Sequence, residues 1–173
     1  MIIIKIKLST IKNTNFEKMK YRILTKEEMQ VFDEDFKHFM ITNGVTNEEW
    51  IEMNVSNVSK ATALVELFSD TVLQKVYEKL QFIEFRSDDT CMIFHCKKEN
   101  MELISLNKIA GNLNLSTPES IHIALSKNPE ELSIFKTEKA YNESREMEMH
   151  QLFEKGCFVS SQEFWDALII LVK

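Results

Sequence analysis

The sequence predicts an α+β fold, with helices flanking a three-stranded antiparallel β-meander at about residues 81–106. Three features of the chain point there. Glycine (3) and proline (2) are scarce in 173 residues, which disfavours a turn-rich all-β fold. Thr or Ser followed three residues later by Glu recurs ahead of apolar stripes of helical period, the signature of capped amphipathic helices. Between Gln81 and Leu106, three short apolar runs are separated by the polar turns Ser87-Asp88-Asp89 and Lys97-Lys98-Glu99-Asn100.

The first stretch, residues 1–18, is rich in Ile, Lys and Asn and carries no apolar pattern continuous with that of residue 19 onward. It reads as an N-terminal extension outside a single globular domain spanning 19–173, with Met19-Lys20-Tyr21 as a second start. The competing reading is a strand with Ile2, Ile4, Ile6 and Leu8 on one face. Thr25-Lys26-Glu27-Glu28 is a capping box, and Met29, Phe32, Phe36, Phe39 and Met40 form one helical stripe after it. Asn43-Gly44 ends that helix, because glycine tolerates the left-handed backbone of a helix C-terminus. Thr46-Asn47-Glu48-Glu49 opens a short helix with Trp50, Ile51 and Met53. A long helix begins between Ser56 and Ser59 and runs to about Leu80 on the stripe Ala61, Leu64, Val65, Phe68, Val72, Val76 and Leu80.

The meander strands are Phe82–Phe85, Cys91–Cys96 and Met101–Leu106. Asn107–Ser116 reads as a loop. Thr117-Pro118-Glu119 places an N-cap, a first-turn proline and an acid in the order of a helix start, although Ser120–Ser126 also alternates like a strand. Asn128-Pro129-Glu130-Glu131 is a further start or a turn. Thr137–Lys155 is expected to be a charged helix with Tyr141, Met149, Leu152 and Phe153 inward. Ser160-Ser161-Gln162-Glu163 opens a last helix with Phe164, Trp165, Leu168, Ile169 and Val172.

Composition narrows the function classes. Apolar residues at 44% and charged residues at 28% are ordinary for a globular chain long enough to bury its own core. Twelve phenylalanines and nine methionines fall mostly on helical stripes and read as core, the alternative being an adaptable Met-rich surface. The net charge of −6, with no basic cluster, disfavours nucleic acid as a partner. The longest apolar run, Ala167–Val172, is too short to span a bilayer, so no membrane is expected. Three cysteines without a secretion signal predict free thiols and a cytoplasmic setting.

The candidate site residues are Cys91, His95 and Cys96. Thiolates and imidazole suit zinc, but a closed site needs four ligands. On a strand Cys91 and His95 share a face while Cys96 points away, and a fourth ligand would be distant Cys157, His122 or His150. No metal and no cofactor are therefore expected. A cysteine with His95 could instead form a nucleophile and base, against which stands the usual burial of free cysteine. Glu143, Glu146 and His150 line one helix face, but Met147 stands where a Glu-x-x-His pair needs glutamate, so a solvated charged face is the expectation. Asp33-Glu34-Asp35 with Lys37 and His38 forms another polar face. Gly-rich phosphate loops, G-x-S-x-G and H-E-x-x-H are absent.

One set of segments is Met19-Lys20-Tyr21-Arg22, Leu24-Thr25-Lys26-Glu27-Glu28, Phe39 to Gly44 and Trp50. It continues through Leu67-Phe68-Ser69-Asp70, Glu84-Phe85-Arg86-Ser87 and Phe94-His95-Cys96. On these segments the chain, from Met19 onward, resembles a family of small uncharacterised flavobacterial-type proteins, a domain of unknown function. The resemblance implies a bacterial cytosolic protein and carries over no catalytic residue.

The functional expectation is a non-enzymatic protein-interaction or adaptor module. Its positive hint is the C-terminal helix, apolar on more than one face, with a protein partner or self-association through Phe164, Trp165 and Ile169. The alternative is a thiol-based sensor or small enzyme centred on Cys91, His95 and Cys96.

Overall fold

A computed structural model describes residues 19–172. The reading of residues 1–18 as an extension or a strand lies outside the described residues. The chain divides into two compact units, one ending at Val76 and one beginning at Tyr77.

The first unit is helical. Its elements are α1 (Lys26–Val31), α2 (Asp33–Thr42), α3 (Asn47–Ser56) and most of α4 (Val58–Lys79). The capping boxes at Thr25 and Thr46 are both closed, each threonine hydroxyl accepting from the third amide and each Glu reaching back. The one helix expected from Thr25 to Asn43 is instead two, broken at Phe32 (φ −102°, ψ 19°). The restart puts Asp33, Glu34 and Asp35 in the first turn of α2, where the helix dipole favours negative charge. Gly44 takes φ +72° after α2, as its place there requires. Phe36, Phe39, Trp50 and Phe68 form an aromatic cluster, with Phe36 edge-on to Trp50 at 5.4 Å and to Phe68 at 5.0 Å. The chain before α1 is tied to α4. Asp70 accepts from the amides of Lys20 (2.6 Å) and Tyr21 (2.8 Å), and Ser69 accepts from Leu24 N (3.1 Å).

The second unit holds an antiparallel sheet of order β4-β3-β2-β1-β5. Its strands are β1 (Phe82–Arg86), β2 (Thr90–Cys96), β3 (Asn100–Lys108), β4 (Leu132–Ala140) and β5 (Phe158–Val159). The helices are α5 (Pro118–Lys127), α6 (Arg145–Glu154) and α7 (Gln162–Ile169). The α+β class holds, and β1 to β3 are the expected meander. The sheet has five strands, however, and not three. Residues 132–140 pair along β3 from Asn100↔Ala140 to Lys108↔Leu132, so the charged helix expected from Thr137 begins only at Arg145. Ser144 caps it by accepting from Met147 N. The cap of α7 falls on Ser161, whose hydroxyl accepts from Phe164 N, one residue later than the box at Ser160 implied.

Register assigns the faces. Cys91, Ile93 and His95 lie across from Leu106, Ile104 and Glu102 on β3, and across from Arg86, Glu84 and Phe82 on β1. This face carries the core, where Cys91, Ile93, Ile104, Leu106 and Leu115 pack with Ile121 and Ala124 of α5 and Trp165 and Leu168 of α7. The opposite face carries Ile83, Phe94, Cys96 and Met101, all buried. At the β5 edge, buried Glu84 pairs with Arg86 and accepts from Ser160 Oγ at 2.6 Å. The Arg86 guanidinium lies over the Phe158 and Phe164 rings. Among the described residues, no helix is long and apolar enough to cross a membrane.

Candidate functional site

Strand alternation separates the three sequence candidates. Cys91 and His95 lie on the α5/α7 face, and Cys96 lies on the other. Both thiols are buried, and burial pushes each up to about 12. Cys157 is also free and buried, and its thiol too is pushed up by burial. A thiolate is the reactive form, so these sites hold the unreactive one. Among the described residues, no three His, Cys, Asp or Glu side chains are grouped so as to hold a metal.

His95 sits in an aromatic slot. Its ring stacks on Phe82 at 4.5 Å and meets Trp165 edge-on at 5.2 Å. Its Nδ1 lies 3.6 Å from Glu102 Oε2, just outside hydrogen-bond reach, and is buried without a partner. Burial and then the nearby Lys97 charge lower its pKa, outweighing Glu102. Glu102 holds Lys97 and Lys136, each at 2.8 Å. Burial raises its carboxyl, but the two ammonium groups win and hold it below the usual carboxylate range.

Beside His95 lies a cleft of about 330 Å³ lined by Gln81, Cys96, Lys97, Lys98 and Arg145, with Glu78 and Glu146 among its walls. Its cations are already engaged. Arg145 donates to the carbonyls of Tyr77 (2.8 Å), Cys96 (3.0 Å) and Lys97 (3.2 Å), and also to that of Leu80. It thus closes the C-terminal end of α4 onto the end of β2. An anion entering the cleft would have to compete with those carbonyls and with Glu102. The cleft therefore has a structural cation at its wall and, beside it, a histidine 3.6 Å from Glu102.

Of Glu143, Glu146 and His150, expected to line a solvated face, His150 is buried, and Glu148 on another side of α6 is buried too. Glu148 accepts from Asn142 N at 2.5 Å and Glu143 N at 3.4 Å, and pairs with Lys139. His150 Nδ1 meets Tyr77 Oη at 3.0 Å. In one dimension, a carboxylate that closes a turn looks like any other surface acid.

An apolar groove lies in the first unit. A groove of about 430 Å³ between α2 and α3 is lined by Phe36, Met40, Ile41, Val45 and Trp50, with Asp33 and Lys37 among its polar residues. Ile41 is 70% exposed, and on α3 Ile51 and Val55 are 58% and 83% exposed. These last two stand four apart and share one helix face. Trp50 and Ile51 lie on the short helix that the Thr46 box predicts, and only the structure separates its packed side from its open one.

The C-terminal helix is mostly spent on the core. Trp165 and Leu168 are buried, and Phe164 and Ile169 pack against the same cluster. Ile170 and Leu171, after the last turn of α7, stay exposed.

No curated protein and no solved structure matches the chain. A family model described as "Family of unknown function (DUF6495)" matches residues 19–173. The chain belongs to the DUF6495 family.

Proposed function

We propose that this chain is a non-enzymatic protein-interaction module whose α2–α3 groove takes up a basic amphipathic helix. The observation that carries this reading is the groove itself, an apolar floor of Phe36 and Trp50 with Asp33 and Lys37 paired at its side, within a segment rich in acids. Between Lys26 and Ser56 the acids are Glu27, Glu28, Asp33, Glu34, Asp35, Glu48, Glu49 and Glu52, against Lys26 and Lys37 alone. An amphipathic helix binds by laying its apolar face in such a groove, and positive charge on its flanks complements the acidic segment that forms it. Exposed Ile51 and Val55 extend the apolar surface along α3. Ile170 and Leu171 are a second contact area of the same reading, and residues 19–173 are its working domain. The other reading, a thiol-based sensor or small enzyme at Cys91, His95 and Cys96, draws no support from two buried thiols on opposite faces.

The test is fluorescence anisotropy with a labelled helical peptide of Leu and Lys in heptad pattern, beside a Leu/Glu peptide of the same apolar face. The Leu/Lys peptide is expected to bind and to weaken as salt rises. Ile41→Lys, at an exposed position, is expected to weaken it at least tenfold. Equal binding of the Leu/Glu peptide, or indifference to Ile41→Lys, would sink the reading.

A further inference from the structure

The edge of the sheet at β4 is long and open. Edge strands are normally kept short, or are broken by a bulge or a proline. β4 has nine residues, none of them proline, and its register with β3 runs unbroken from Leu132 to Ala140. Residues 135–140 are all exposed. Among the described residues, β4 pairs with β3 alone, so its outer row of amides and carbonyls faces outward.

Along this strand Glu138 is the charge left without an ion pair among the described residues, while Lys136 and Lys139 are paired. Glu138 stands directly across from Glu102 on β3, a like-charge pair of the kind that destabilises a ladder. Lys136, two residues along the same face, is held by Glu102 at 2.8 Å. Glu138 accepts from Asn100 Nδ2 at 3.0 Å, and no ion pair with a cation is found for it among the described residues. A cation placed just beyond the edge would complete the row.

We propose that a second copy of this chain supplies it, through antiparallel β4–β4 pairing about a twofold axis at Thr137. A twofold antiparallel contact is self-complementary, so each pairing occurs twice. With the axis at Thr137, Lys136 of each copy faces Glu138 of the other. Thr137 meets its own equivalent, Phe135 meets Lys139, and Ile134 meets Ala140. Shifting the axis to Lys136 would instead set two lysines against each other. The Thr137 register also keeps even-numbered residues beside even-numbered ones, so the α5/α7 face of one sheet continues into that of the other. The β4 lysines, which would otherwise guard an edge, are drawn to acids of their own molecule, Lys139 to Glu148 and Lys136 to Glu102, and in the dimer Lys136 bridges Glu102 of its own copy and Glu138 of the other. This dimer does not depend on the α2–α3 groove.

Sedimentation equilibrium over a concentration series, with cysteine cross-linking, tests it. The unmodified chain is expected to show a reversible monomer–dimer equilibrium. Lys136→Glu and Glu138→Lys should each raise the dimer dissociation constant about tenfold, because two attractive pairs become repulsive. The double swap should restore it, since opposite charges then face each other again at both symmetry-related positions. Thr137→Cys, at an exposed position, should form a disulfide dimer under a mild oxidant, because directly paired Cα atoms lie about 4.5–5.5 Å apart. Phe135→Cys should not, because its equivalent is displaced four positions, roughly 14 Å along the strand. A strict monomer up to millimolar concentration overturns the proposal. So does a dimer that ignores the charge reversals, or one that cross-links as fast at 135 as at 137.

Discussion

Replacing Arg145 by alanine removes one side chain that holds several backbone ends. Its guanidinium reaches the carbonyls of Tyr77, Leu80, Cys96 and Lys97, and its side chain is 14% exposed. The last carbonyls of a helix lack intrahelical donors, so those at the end of α4 depend on this partner or on water. A hydrogen bond from a charged donor is worth about 1.5–3 kcal/mol net. One such bond to each of the four carbonyls sets an upper bound of roughly 6–12 kcal/mol. The adjacent cleft of about 330 Å³ admits water to some of the freed carbonyls, so much of that bound is recovered. A loss of about 3 kcal/mol remains, corresponding to a melting temperature lower by about 6–12 °C for a chain of this size. Arg145→Lys should recover only about 1 kcal/mol, because an ammonium cannot present a planar fork to separated carbonyls. Thermal melts and urea titrations of the two variants measure this. A fall of under 2 °C for Arg145→Ala, or full stability of Arg145→Lys, would refute the reasoning.

Acidification should weaken the fold in two stages. The folded pKa of His95 is lowered, so below about pH 6.5 the unfolded chain takes up a proton that the folded chain refuses, and stability falls until the folded value is passed. His95→Gln should flatten that slope in urea titrations between pH 7 and 5, and an unchanged slope would place the proton elsewhere. Glu102 titrates below the usual carboxylate value, so its stabilisation is present above about pH 4.3 and is lost as pH falls through the folded value. Cys91 and Cys96, both pushed up to about 12, should react with a thiol reagent at pH 8 at least a hundredfold more slowly in the folded chain than in urea. Labelling of either at the unfolded rate would contradict their burial. A chain beginning at Met19 should melt within about 2 °C of the full sequence, because the first capping box lies at Thr25. A far lower melt would instead favour the strand reading of Ile2, Ile4, Ile6 and Leu8, each worth about 1.5–3 kcal/mol if buried.

His95 does not have Glu102 to itself. Three groups share the environment of that carboxylate, and two of them are lysines at hydrogen-bond distance. The imidazole is left to its aromatic neighbours Phe82 and Trp165. Removing Glu102 would disturb the lysines first.

The parts of this protein that the sequence by itself determined are those encoded within a few residues. The Thr25 and Thr46 boxes, the Thr117-Pro118 helix start and the polar turns of the meander each join groups within hydrogen-bond reach along the chain. Strand alternation likewise separates Cys91 and His95 from Cys96 on pattern alone. Residues 132–140 are different. Lys136, Glu138 and Lys139 resemble the charged face of a helix, and only the free edge of β3, some thirty residues away in sequence, makes them a strand. The burial of Glu148 depends on Lys139 and the turn amides at Asn142 and Glu143. The role of Arg145 depends on where α4 and β2 end. Such choices are made by pairing partners distant along the chain, and local pattern carries no record of which edge, carbonyl or carboxylate will be waiting there.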